Sequence, residues 1–395
     1  MLSAGFHAGG MAHLLAWGAL AALFYAYFGY PALLAILARL RPFRPAPDDD
    51  HPTITMIVAA WNEEDVIGEK IENTLAQDYP ADLLDLIVVS DGSTDGTEEI
   101  VDRCAANTRR VRLLRSGGRR GKSAALNIGA AAASGDVLVM TDANAMFESD
   151  AIGHLVAPLA DPAVGAVSGQ LRYRSGEGTE ATEGAYWRYE QVVKRLESAL
   201  GSLLGANGSI YALRRDLYRP ILPRDVSDFR VPYEVLLQGP AVVLEPRAIS
   251  WETAAPDLWA EYRRKVRIMS RAIPMMLAFI VPTLVRGRLL ALWQVVSHKL
   301  LREVQGVFFL GMLAGAGWGA AQRDLPLTAF LVGQLVLYGL GALGWAFPAA
   351  ARLRPARLAA HFDMIVLASV TALAQWVTGR VRSTWQPVRA PGRGG

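Results

Sequence analysis

Apolar runs and polar breaks divide the chain into three zones. Residues 11–38 form one apolar stretch, and no Asp, Glu, Lys or Arg occurs between Met1 and Ala38. That is more than the roughly 20 apolar residues needed to cross a bilayer. The middle zone alternates. TITMIVAA (53–60), LDLIVVSD (84–91), VRLLR (111–115) and DVLVMTD (136–142) are apolar runs of strand length, while 63–77, 98–106 and 123–133 have helical spacing between them. Such alternation predicts parallel strands with right-handed crossovers, an α/β fold built on a Rossmann-like, mostly parallel sheet. Past residue 270 the apolar density returns. Segments 304–322 and 325–351, separated by Arg323 and Asp324, read as a transmembrane hairpin.

Two further apolar segments are less regular. Residues 272–285 are too few to span and carry Pro274 and Pro282; with Arg286, Arg288, Trp293, His298, Lys299 and Arg302 following, they read as structure on the inner leaflet. Segment 358–379 has span length but a polar side of His361, Asp363, Thr371, Gln375 and Thr378. Charge decides between crossing and lying flat: a crossing would put Arg380, Arg382, Arg389 and Arg393 outside, so the segment is expected to lie along or re-enter the inner face. The expected organisation is a transmembrane segment (1–40), a proline-containing linker (41–52), a folded domain (53–255), interfacial helices (256–303), a C-terminal membrane region (304–379) and a tail (380–395).

Composition narrows the compartment and the partners. The 395 residues are 52% hydrophobic, with the excess at the two ends. Arg39, Arg41 and Arg44 follow the first apolar stretch and no basic residue precedes it, which puts the N-terminus outside and the middle domain in the cytosol of a bacterial-type inner membrane. A cleaved signal peptide lacks support, because the basic leading region is missing and the stretch is too long. The single cysteine, Cys104, excludes an internal disulfide and a cysteine metal cluster. A net charge of +3 gives no reason to expect nucleic acid.

The candidate chemistry lies where strands end. DVLVMTDAN delivers Asp142 and Asn144 to the carboxyl end of a strand, where open α/β sheets bind ligands and where two oxygen ligands can hold a divalent cation against a diphosphate. The plainer account is an Asx-type turn. SDGSTDGT (90–97) puts Asp91 at another strand end, placed either to accept hydrogen bonds from a nucleoside or to cap a helix. SGGRRGKS (116–123) is a near miss to a P-loop, with Gly121, Lys122 and Ser123 in place and Ser116 where the first glycine belongs.

Taken in order, VAAWNEED (58–65), VVSDGSTDGT (88–97), GKSAALNIG (121–129) and TDAN (141–144) resemble the family 2 glycosyltransferases. The resemblance continues through YWRYEQ (186–191), GANGSIYALRR (205–215), VSDFRVPYEVLLQG (226–239) and RRKVRI (263–268). It implies a GT-A fold and an inverting transferase, metal-dependent through Mg²⁺ or Mn²⁺, that takes a nucleotide sugar, expected to be a UDP-sugar. By motif match, Ala60, Glu63 and Asp91 line the nucleoside pocket with Lys122 nearby, and Asp142 and Asn144 stand at the metal-binding DxD motif with an amide for the second acid. Asp228 stands at the general base, with Ser227 in place of the first acid of that pair. An acid in the first turn of a helix is the plainer account of Asp228. The basic run Arg263, Arg264, Lys265, Arg267 and Arg271 overlaps the family's QxxRW, keeping Arg267 but neither the glutamine nor the tryptophan; Arg264 and Arg267 are the candidates to face the diphosphate. STWQPVR (383–389) looks like the switch loop of membrane polysaccharide synthases, with Trp385 and Arg389 closing over the nucleotide, and equally fits an interfacial anchor.

These readings converge on transfer of a sugar to a glycan or lipid-linked acceptor at the bilayer, in polysaccharide synthesis with secretion or export partners, or by a single addition. A P-loop ATPase attached to a transporter is the rival from another class; a non-catalytic membrane scaffold is harder to reconcile with acids at three strand or helix ends.

Overall fold

The computed structural model describes residues 2–46, 51–174, 180–253 and 258–381. Its centre is one eight-stranded sheet of β1 (Ile54–Ala60), β2 (Leu84–Ser90), β3 (Val111–Arg115), β4 (Val137–Asp142), β5 (Met146–Phe147), β6 (Val164–Arg174), β7 (Tyr211–Arg214) and β8 (Ala241–Thr253), in the order β3-β2-β1-β4-β7-β6-β8-β5. The first four strands are all parallel, with Ile54 opposite both Leu84 and Val137. The helices Ile67–Leu75, Thr97–Asn107 and Lys122–Ala132 make the crossovers. β1 is buried along its whole length, as a strand covered on both faces must be. Alternate residues feed separate cores, Ile57 and Ala59 on one face, Met56, Val58 and Ala60 on the other.

The far half of the sheet is mixed. β7 runs antiparallel to β4, and Tyr211 at its start pairs with Met140 near the end of β4. The reversal brings the preceding loop, residues 205–210, to the edge where β4 releases Asp142. β8 runs parallel to β6, and its last residues reach the same edge, Trp251 pairing with Met146 of β5. Helix Ser227–Gln238 also starts there, because the Ala206 amide donates to the Asp228 carbonyl at 2.7 Å.

Outside the sheet, four helices among the described residues are long and apolar enough to cross a membrane: Gly10–Leu40, Leu258–Val285, Leu325–Ala346 and Arg354–Val377. A pair bent by 61°, Leu289–Glu303 and Gln305–Ala321, makes a fifth if it is one span. Residues 272–285 are the second half of a 28-residue helix that runs through Pro274 and Pro282, rather than a short separate segment. Its apolar side docks on the sheet domain: Phe279 lies 4.6 Å, centroid to centroid, from Tyr233, whose hydroxyl bonds Thr283 at 2.9 Å. Tertiary packing of this kind offsets what two interior prolines cost a helix.

Candidate active site

The turns after β1 and β2 interlock. The Asp91 amide donates to the Ala60 carbonyl at 2.8 Å, and the Glu63 amide to the Thr97 hydroxyl at 2.8 Å. The Asn62 side chain accepts from the Thr94 amide at 2.8 Å. Asp91 is buried, and its carboxylate accepts from the backbone amides of Arg120 at 2.8 Å and Gly121 at 2.7 Å. Gly92, at φ +73°, lets the first turn meet the 116–121 loop so closely that a Cβ there would sit 3.0 Å from the Arg119 nitrogen. Across the rim the Arg119 guanidinium lies 3.5 Å over the Trp61 ring.

Beside these turns, β4 ends in a cluster of charge. Asp142 pairs with Lys122, which opens the helix Lys122–Ala132. Burial works against the Lys122 charge, but the carboxylates of Asp142, Asp228 and Glu252 outweigh it and raise its pKa. Beneath them Lys70 is fully buried; it donates to Thr141 Oγ1 at 3.1 Å and to the Ala145 carbonyl, and lies 3.9 Å over the Phe147 ring. Burial pulls its pKa down to about 7 against the opposing charges of Asp142 and Glu252. Glu252 responds the other way: burial and the neighbouring Asp142 push it up to about 7, opposed by Lys122, Arg264 and Lys70.

The third side is built on Asp228, in the first turn of helix Ser227–Gln238, where a carboxylate is favoured by the helix dipole. Its side chain is half-buried and has no hydrogen-bond or ion-pair partner among the described residues. Gly208 leaves it room, since a Cβ there would lie 3.3 Å from Asp228 Oδ2. Asn207 fixes that loop, its amide donating to Ser168 Oγ at 3.0 Å and its side chain accepting from Lys194 Nζ at 2.7 Å. Lys122 and Arg267 each feel the charges of both Asp142 and Asp228, so the two acids share one mouth.

Known proteins carry the same pattern. The family model described as glycosyl transferase family 2 matches residues 55–222. Residues 55–222 are a family 2 glycosyl transferase domain. The chain is 32% identical over 174 residues to a beta-monoglucosyldiacylglycerol synthase of Synechocystis sp., covering 41% of this chain and 35% of that one. It is 26% identical over 226 residues to a poly-beta-1,6-N-acetyl-D-glucosamine synthase of Staphylococcus aureus, covering 55% and 54%. The chain thus matches 35% and 54% of the length of these relatives. Among solved structures it resembles a mannosyltransferase from Pyrobaculum calidifontis in complex with GDP-Man and Mn²⁺, with 25% identity, a TM-score of 0.71, and coverage of 93% of this chain and 100% of that one. The sheet domain has the GT-A fold.

Within this glycosyl transferase domain the expected site residues separate by what they touch. Ala60, Glu63 and Asp91 lie together at the ends of β1 and β2, and Lys122, Asp142 and Asn144 lie beside them. The resemblance assigns Asp91 to the nucleoside, yet here both carboxylate oxygens hold the next loop. Those bonds also disfavour the P-loop ATPase, because the amides of Arg120 and Gly121 that would cradle a phosphate donate to Asp91, and Lys122 pairs with Asp142. Arg264 makes two 2.7 Å hydrogen bonds to Glu261. Arg267 is half-buried and makes no ion pair among the described residues. Trp385 and Arg389 lie outside the described residues.

Sequence reading missed Lys70, Lys194 and Glu252. Lys70 falls within the buried stripe of Ile67, Ile71 and Thr74, so a lysine beside the apolar positions of an amphipathic helix was the available signal. Glu252 is two residues beyond Ser250 on the same face of β8, and the Ser250 hydroxyl bonds Ser209 at 2.9 Å. Lys194 gave no such local sign.

The donor set suits a hard divalent cation. Asp142 offers a carboxylate and Asn144, exposed at the mouth, an amide oxygen. No group of three His, Cys, Asp or Glu side chains able to hold a metal occurs among the described residues. Ions of this kind take one or two protein ligands and complete their shell from a bound diphosphate.

Proposed function

We propose that this chain is an inverting glycosyltransferase that moves a sugar from a nucleoside diphosphate donor to a hydroxyl on a lipid-linked or glycan acceptor at the inner face of a bacterial-type membrane. The observation that carries the reading is the shared mouth: Asp142, paired with Lys122, and Asp228, without a side-chain partner among the described residues, both act by charge on Lys122 and Arg267. Asp142 and Asn144 would hold Mg²⁺ or Mn²⁺, which when bound supplies positive charge to the diphosphate. Lys122 and Arg267 add fixed positive charge where the leaving group develops its own negative charge. Ala60, Glu63 and the rim formed by Trp61 and Arg119 surround the nucleoside, and Asp91 keeps the 116–121 loop in place for it.

The chemistry then needs one base. Asp228 accepts the proton of the acceptor hydroxyl while the hydroxyl oxygen forms a bond to the anomeric carbon and the bond from that carbon to the diphosphate oxygen breaks. Attack opposite the leaving group inverts the anomeric centre. The nucleoside diphosphate departs with the bonding pair, and the proton on Asp228 is lost to solvent afterwards.

The relatives named a glucosyldiacylglycerol synthase and a poly-N-acetylglucosamine synthase favour an amphiphilic or polymeric acceptor. The test is a screen of radiolabelled UDP- and GDP-sugars for hydrolysis and transfer by the purified full chain, with protection against proteolysis by UDP, GDP and ATP in parallel. Release of UDP or GDP and protection by the same nucleotide are expected. Protection by ATP alone would overturn the reading.

A further inference from the structure

We propose that Gln191 and Lys194 form an acceptor subsite that receives an oxyanion, such as a phosphodiester, carried on the acceptor head near its reacting hydroxyl. The inference rests on the glycosyltransferase reading and deepens it by naming the acceptor class.

Both residues lie on helix Glu180–Ser198, three positions apart and therefore on one face. Trp187, one turn earlier on that face, has its ring 5.7 Å from that of Tyr173 on β6, which pairs with Glu252. The stripe runs from the end of β8 to the loop beside Asp228. Along it sit polar groups whose bonding capacity is unused. Gln191 is 5% exposed, and neither its amide oxygen nor its amide nitrogen has a hydrogen-bond partner among the described residues. Lys194 is 7% exposed; its hydrogen bond goes to the neutral Asn207, leaving two of three ammonium protons to place. Buried polar groups left this way cost stability unless a ligand completes them.

The neighbouring carboxylates do not complete them. Glu190 faces Arg302 at 3.0 Å, His298 at 3.3 Å and Lys299 at 3.5 Å. Glu197 is bonded by His298 at 2.6 Å and the Tyr30 hydroxyl at 2.7 Å. These two acids and their partners tie the helix to the membrane segments, and Tyr189 adds a bond to the Tyr27 carbonyl at 2.9 Å. Asp228 acts on Lys194 only through its charge. Lys194 is thus a buried cation without a directly paired anion, one loop away from the base and at the junction with the membrane helices, where a lipid head would arrive. An oxyanion there accepts from the ammonium and from the Gln191 amide, and orients the adjoining hydroxyl towards Asp228.

Two short-chain lipids separate this from a neutral subsite: dioctanoyl phosphatidylglycerol and dioctanoylglycerol share their tails and both carry a free hydroxyl, and the former adds a phosphodiester-linked glycerol headgroup. Binding of each to the full chain in neutral detergent, followed by tryptophan fluorescence, should favour the phosphatidylglycerol at least 10-fold. Lys194→Met should erase that preference, Lys194→Arg should retain most of it, and Gln191→Leu should weaken it several-fold. UDP and GDP binding, measured on the same samples, should be unchanged in all three variants and shows that they fold. Equal binding of the two lipids by the unmodified chain, or a preference unaltered by Lys194→Met, would overturn the subsite; the latter would assign the preference to the surface arginines. If Lys194→Met fails to fold, the unmodified chain and Gln191→Leu still decide. Absence of UDP and GDP binding in the unmodified chain would instead refute the glycosyltransferase reading.

Discussion

At the β1–β4 end of the sheet, the Asp91 carboxylate is held by backbone amides of a neighbouring turn; at the β7–β8 end, Lys194 sits among side chains, one of them brought from the membrane-flanking segment. Asp91 binds two amides within 30 residues of itself. Lys194, by contrast, sits among Glu190, Glu197, Asn207 and Lys299, drawn from the helix Glu180–Ser198, a loop and the membrane-flanking segment. A site for a nucleotide needs a fixed shape, which turns supply cheaply. A site for an amphiphilic acceptor must face both the domain and the bilayer, which no single loop can do.

The comparison breaks first at Asp228. Asp228→Asn keeps shape and removes basicity, so kcat for transfer should fall by about 10²–10⁴-fold. UDP or GDP affinity, measured by titration calorimetry, should stay within error, because the proposed base acts on the acceptor and not on the donor. Unchanged turnover would remove Asp228 from the mechanism.

Asp142 tests the opposite end. With Mn²⁺ present, Asp142→Ala should weaken UDP or GDP binding by about 10–100-fold, the scale of a lost metal-bridged contact. With EDTA present the variant and the unmodified chain should bind alike. Equal losses under both conditions would mean that Asp142 acts by holding Lys122 and not through an ion. Asn144→Asp should lower the Mn²⁺ concentration needed for half-maximal binding.

How much of this could be read from the sequence follows the same division. β1 to β4 and the second and third helices were legible to within a residue, because a fully buried parallel strand is an apolar run that ends where its turn begins, whereas the first helix starts at Ile67 and not at 63. None of β5 to β8 was expected. β5 and β7 are two and four residues long, and their reversed direction is set by pairing with strands far along the chain. Asp142 and Asp91 stood out because each is a carboxylate that ends an apolar run. Lys70 and Lys194 did not, since a lysine written in a helix looks solvated until its neighbours are known. Helix Leu258–Val285 was broken in the reading at its prolines; docking of Phe279 and Thr283 on Tyr233 keeps it whole.

Asp91 sharpens the contrast at a smaller scale. Asp91→Ala deletes two charge-assisted bonds to backbone amides, each worth about 1.5–3 kcal/mol. The 116–121 loop should loosen, seen as faster amide hydrogen exchange at Arg120 and Gly121. Nucleotide affinity should fall by about 10-fold, while the lipid preference assigned to Lys194 should persist. Loss of both would mean that the two ends fold as one unit.

The smallest effect separates stability from activity at Lys70. Its pKa is about 7 in the fold against 10.5 for an ordinary lysine, with burial as the cause. A base whose folded pKa is depressed binds its proton more weakly in the folded state. Between about pH 7 and pH 10.5 the unfolded chain therefore holds more protons, and stability rises with pH across that window. The slope contributed by one such group is at most about 1.4 kcal/mol per pH unit. Lys70→Met should flatten this component, so the gain in thermal midpoint between pH 7 and pH 9 should be smaller in the variant, by a few degrees. The substitution also leaves the Ala145 carbonyl and Thr141 hydroxyl without their donor, at a cost of about 1–3 kcal/mol that does not vary with pH. The two contributions are thus distinguishable: the lost donor lowers the midpoint at every pH, and the lost titration changes its slope. An identical slope in both proteins would show that Lys70 keeps an ordinary pKa inside the fold and that the charges of Asp142 and Glu252 compensate its burial in full.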